Sequence, residues 1–173
     1  MFQSETQKLI DVWTGLPGGP GAPSRAVFDA HALGLLLPRA FSMDLTAAGL
    51  SFRTVGGWIE AQFERPLAGE SWLNLWTDDT QYVAHQAIVA AVRNALPVVV
   101  TADVRGVQGE LEMAIAPLSA PSTGRIDRLL GMVSGDLTGA VGGRRLSARS
   151  FSLGQGREGR GPVLATLDGR RVA

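Results

Sequence analysis

The chain has 173 residues, 45% of them apolar and 18% charged, a balance that suits one globular domain with a real core and leaves no room for a second full one. Sixteen basic residues stand against sixteen acidic ones, so there is no overall electrostatic footprint for nucleic acid; the lack of cysteine excludes disulfides, thiolate metal sites, cysteine nucleophiles and cysteinyl-flavin photochemistry. No apolar run reaches the ~18–20 residues of a membrane span, and the N-terminus carries neither a basic leader nor a long apolar one, so we expect a soluble, cytoplasmic protein.

Taken in chain order, "SETQKLIDVWTGL" opens with a capping-box pattern, Ser4 with Gln7, followed by Leu9, Val12, Trp13 and Leu16 at helical spacing. This predicts an amphipathic helix that packs either on its own sheet or across a symmetric dimer interface, with those four apolar residues as the interface candidates. The Gly/Pro segment "PGGPGAP" ends it as a linker. A short helical stretch then runs to Leu37, is stopped by Pro38, and hands over to a first strand from Ala40 to Leu45.

"LSFRTV" reads as a half-buried second strand, with Leu50 and Phe52 on one face and Arg53 and Val55 on the other. Gly56 and Gly57 end it, and residues without a Cβ there permit a tight turn or a close helix-to-sheet contact. Short helices follow from Trp58 to Gly69, and "ESWLNLW" adds Trp72 and Trp76 on one helical face, a pair read as core. Residues 78–97 predict a longer helix, capped by Asp79 or Thr80 and stopped by Pro97, on which Tyr82, His85, Ile88, Val89, Val92 and Leu96 gather at 100° per residue. That phase puts His85 in the middle of the buried stripe, with Gln86, Arg93 and Asn94 off it.

The period then changes to two. "PVVVTADVRG" and "GELEMAIAPLS" predict a hairpin, the second strand alternating Leu111, Met113 and Ile115 with Glu110, Glu112 and Ala114, and "RIDRLLGMVSG" supplies a third strand. The whole is an α+β pattern: a five-stranded antiparallel sheet with helices over one face, preceded by an N-terminal amphipathic helix. We divide the chain into helix and linker (1–22), the sheet domain (23–135) and a Gly/Arg-rich, partly disordered extension (136–173). That extension is the basic part, with seven arginines against Asp136, Glu158 and Asp168, while nine basic and thirteen acidic residues precede it. An arginine-bearing contact for an acidic partner, nucleotide or anionic membrane face is a weaker reading of it.

The order of elements, the run "LSFRTVGGWIEAQFERPLAGESWLNLW" and the "ALPVVV" entry into a three-strand finish together resemble a PAS domain over roughly residues 5–135. More narrowly, Trp13, Pro23, Arg25, Asp29, Leu37, Pro38, Arg53, Gly56, Leu67 and Gly69 resemble the PAS branch common in alphaproteobacteria and formerly listed as a domain of unknown function. Ala30 stands where that branch has a proline, Gly57 where it has a threonine and Glu64 where it has a glycine.

The resemblance implies a non-enzymatic sensory or regulatory module that acts through protein–protein contact, as a homodimer and on a signalling-protein partner, with control by a small molecule held between sheet and helices. Helix phase and strand alternation nominate Phe52, His85, Val89, Val92, Met113 and Ile115 as the groups nearest such a pocket. His85, in the helix where haem-binding relatives carry their iron ligand, raises haem as a cofactor; a core histidine without cofactor is the preferred reading, since Arg93 lies off the face where propionates need a cation. No specific nucleic acid and no metal site is expected. The rival class is a small isomerase or dehydratase on a similar curved sheet, with Asp44, Asp103 and His85 as its acid–base candidates, although no spacing pairs them. His31 falls in an ordinary surface segment.

Overall fold

The computed structural model of the chain describes residues 2–135, 137–154, 163–165 and 171–172. Helix α1 (Ser4–Gly15) is followed by 3-10 turns at Arg25–Val27 and Ala30–Arg39, then strands β1 (Ala40–Thr46) and β2 (Gly49–Val55). Helix α2 (Gly57–Phe63), a 3-10 turn at Trp72–Leu75 and helix α3 (Gln81–Asn94) lead to β3 (Val98–Val104), β4 (Val107–Ser119) and β5 (Ile126–Ser134). The tail contributes β6 (Leu146–Leu153), β7 (Val163–Ala165) and β8 (Arg171–Val172).

All described strand pairs are antiparallel, in the order β2-β1-β5-β4-β3-β6-β7-β8. The five expected strands therefore form the order β2-β1-β5-β4-β3 with the expected helices over one face. The sheet does not stop there, because β6 pairs with β3 from Val98 opposite Leu153 to Val104 opposite Leu146. A strand edge that would otherwise offer unpaired N–H and C=O groups is thereby closed by the chain's own tail. The paired stretch of "LSARSFSL" thus completes its own sheet. Arg157, Arg160 and Arg170 lie outside the described residues, so the reading of the tail as an arginine-bearing contact rests partly on positions the structure does not describe.

The main core lies between the sheet and the α2–α3 wall. Phe41 and Phe52 meet edge-on at 5.4 Å between ring centroids, and Trp72 and Trp76 do so at 5.0 Å. Both tryptophans are buried, as expected, and both indole N–H groups lack a hydrogen-bond partner among the described residues. The opposite face is covered in part by α1: Leu9, Ile10 and Trp13 pack on Val99, Ala114, Ala116 and Met132. The Trp13 indole N–H donates to the Pro117 carbonyl at 2.7 Å, and the Gln3 N–H donates to the Glu112 carboxylate at 2.9 Å, setting a negative charge at the helix N-terminus. Leu9 and Trp13, nominated for a dimer interface, are thus fully buried against their own sheet, with Val12 and Leu16 packed partly against the same cluster. Glu112 and Ala114, which alternate with Leu111, Met113 and Ile115 as expected, lie buried on this face, Ala114 directly against α1.

The capping box does not form: Gln3 is the N-cap of α1, the Ser4 hydroxyl bonds Glu5 and the Gln7 side chain bonds Asp11. Thr80 is the N-cap of α3, yet its hydroxyl accepts from the Ala148 N–H of β6 and bonds Thr77, so it fastens α3 to the tail strand rather than capping the helix. The Gly/Pro linker ends pinned to β4, where the Ser119 N–H donates to the Pro23 carbonyl at 2.8 Å.

Candidate functional site

The nominated pocket residues do not share one space. Phe52, Met113 and Ile115 are fully buried in the main core, packed among the aromatic and aliphatic groups that fill it. Helix α3 is rotated from its expected phase. It buries Val83, Ala84, Ala87, Ile88 and Ala91, and turns Tyr82, His85 and Val89 outward, with Val92 half-buried. Three alanines let the helix axis approach the sheet closely, with Val83 and Ile88 packed beside them in the main core, and this leaves Tyr82, His85 and Val89 on the outer side. His85 is therefore an exposed helix residue rather than a core histidine, and it is not placed to bind haem in the interior.

The acid–base candidates are also apart. Asp44 on β1 and Asp103 on β3 are separated by two intervening strands, about 14 Å at ordinary strand spacing. Asp44 pairs with Arg53 and Arg128, and Asp103 with Arg149. No group of three or more metal-ligating side chains occurs among the described residues.

The prominent concavity lies on the α1 side of the sheet, on the part of that face that α1 leaves uncovered. It is a cleft of about 660 Å³ between the 3-10 segment of residues 25–39 and strands β1, β2 and β5. Phe28, Leu33, Leu37 and Pro38 form one wall, with Leu118 and Leu130 opposite, and none of the six nominated pocket residues lines it. The polar lining comprises Arg25, Arg53, Arg128, Ser42 and Thr54, with no aspartate or glutamate.

Three local features build this cleft. First, the register between β1 and β2 shifts so that Met43 pairs with Phe52 and Ser42 with Thr54, leaving Arg53 as the extra residue of a bulge. The bulge breaks the expected alternation: Val55 packs toward the main core, while Arg53 reaches Asp44 on the cleft side at 3.4 Å. Second, Gly56 approaches Pro38 so closely that a Cβ would stand 2.2 Å from the Pro38 carbonyl oxygen. Third, the Asp29 carboxylate accepts from the backbone N–H of His31 at 2.9 Å and caps the wall segment. That backbone bond, followed by the contact with the His31 ring, holds the Asp29 carboxyl below its ordinary range. His31, expected to do nothing, therefore serves this cap.

Three cleft arginines share two carboxylates. Arg128 Nε stands 2.7 Å from Asp44 Oδ1 in an ion pair. Asp44 also serves Arg53, and Arg25 uses Asp127 at 3.2 Å. Sequence reasoning picked out Arg25 and Arg53 only as motif matches and passed over Arg128, because nothing in a linear pattern shows that β5 lies beside β1.

A family model for the PAS domain matches residues 1–134. The chain belongs to the PAS domain family. No curated protein and no solved structure matches it significantly. Membership makes this PAS chain a sensory or regulatory module in general terms, and the strand order β2-β1-β5-β4-β3 with helices on one face agrees with it. The matched stretch includes α1 and ends before β6, so the strand that closes the β3 edge lies outside the matched residues. Among the described residues no helix is long and apolar enough to cross a membrane.

Proposed function

We propose that this PAS chain is a non-enzymatic regulatory module that acts through protein–protein contact, with a second copy of itself as its first partner. The outer face of α3 carries the reading. Tyr82 is 69% exposed and Val89 38% exposed on a helix whose inner side is alanine-rich and fully packed. An aromatic ring and a branched aliphatic side chain held on a rigid, well-anchored helix cost little entropy to dock, which is why such groups are enriched in interfaces.

Self-pairing has a charge argument. Asp79 precedes α3 and Arg93 lies in its last turn, so two copies packed antiparallel about residue 86 would set each Asp79 near Arg93 of the other copy and each Tyr82 near the opposing Val89. Light scattering across a concentration series tests this. A dimer is expected, weakened about tenfold by Arg93→Asp and restored when Asp79→Arg is added to it. A monomer throughout, or a dimer indifferent to Tyr82→Ser with Val89→Ser, would sink the proposal.

A further inference from the structure

We infer that the arginine-lined cleft between residues 25–39 and strands β1, β2 and β5 binds a small amphipathic carboxylate: an anionic head on an apolar body. This goes beyond the partner-contact reading, and its test measures ligand binding directly, so either can fail without the other.

The charge pattern comes first. Three guanidinium groups line the cleft and no carboxylate does; the two aspartates that touch these arginines, Asp44 and Asp127, stand outside the lining. Asp44 is shared between Arg53 and Arg128, at 3.4 Å and 2.7 Å, so one carboxylate serves two guanidinium groups. Three guanidinium groups against two carboxylates leave one positive charge in surplus, and in a partly desolvated cleft that surplus favours a planar anion such as a carboxylate, which can take two parallel N–H donors at once. The Ser42 and Thr54 hydroxyls, bonded to each other at 2.6 Å, lie in the same lining and add neutral polar atoms to the polar end.

The remaining lining chooses the body of the ligand. Phe28, Leu33, Leu37, Pro38, Leu118 and Leu130 are apolar, and a volume of about 660 Å³ is within the ~300–1,000 Å³ range of small-molecule sites. An inorganic anion would leave those walls wet, and a neutral hydrocarbon would leave the surplus positive charge without a counter-charge. Only a molecule that joins the two chemistries satisfies both ends.

Titration of the full chain with octanoate, octylammonium and octanol, followed by calorimetry and by amide NMR, tests the inference. Octanoate is expected to bind saturably at one site, with shifts at Gly56, Gly57 and Leu130, and both octylammonium and octanol to bind at least tenfold more weakly. Arg53→Gln should weaken octanoate about tenfold, the scale of one charge-assisted contact, while Arg105→Gln at an exposed hairpin turn leaves it unchanged. Should Arg53→Gln disturb the bulge, Leu37→Glu at the 43% exposed mouth supplies the second variant, expected to weaken octanoate and strengthen octylammonium. Equal affinity for octanoate and octanol, no saturable octanoate binding, or shifts confined to α3 would each overturn the inference.

Discussion

Gly56 and Gly57 are neighbours under opposite constraints. Both have ordinary surroundings by sequence, but a Cβ at Gly56 would collide with the Pro38 carbonyl, whereas a Cβ at Gly57, the first residue of α2, meets nothing within 4 Å. Gly56→Ala is expected to destabilise by roughly 2–3 kcal/mol, since the obstacle is backbone and cannot rotate away, and Gly57→Ala to be neutral or stabilising by up to ~1 kcal/mol. Urea denaturation of the two variants reads the contrast directly. Glu64 has a related explanation. It caps the C-terminus of α2 at φ 53°, ψ 28°, in the left-handed region that costs an L-residue ~1 kcal/mol or more and that glycine adopts freely. Glu64→Gly should raise stability by about 1 kcal/mol in the same assay.

At the scale of elements, α3 shows how a helix chooses its face. Hydrophobicity at 100° per residue favoured the Tyr82–Val89 side, but the buried side carries Val83, Ala84, Ala87, Ile88 and Ala91: the alanines permit close approach along the helix, and the two larger aliphatic residues pack beside them in the main core. Ala87→Leu is therefore expected to cost about 1–3 kcal/mol through overpacking, while Val89→Ser on the outer side changes stability by less than about 0.5 kcal/mol. Thermal unfolding of these variants distinguishes the two phases: the predicted phase would make Val89 the costly site. β2 shows the same lesson, since one extra residue at Arg53 reverses which later side chains face the main core.

The molecule as a whole is larger than the PAS unit that the family match covers. Val141, Leu146 and Ala148 lie beyond residue 134, yet all three belong to the main core, and Leu146 is fully buried. The Thr77 N–H donates to the Leu146 carbonyl at 2.9 Å, so the tail strand also holds the entry to α3. Leu146→Ala is expected to cost roughly 2–5 kcal/mol, as a truncated core residue does, and to lower the midpoint of one cooperative transition rather than create a second one. Two separate transitions in circular dichroism would show instead that β6 is an independent appendage.

By itself the sequence determined the first five strands, because period-two alternation and Gly/Pro punctuation are local signals, and it determined the α+β class and the PAS resemblance, because element order is a one-dimensional property. It also marked Trp72 and Trp76 as core and residues 56–57 as a special corner. What only the tertiary structure decided was which side of each element faces which neighbour. The rotation of α3, the commitment of Trp13 to its own sheet, the recruitment of β6 and the gathering of Arg25, Arg53 and Arg128 all depend on contacts between residues far apart in the chain. Such contacts form where shapes fit and charges find room, and neither condition can be read from spacing along one segment.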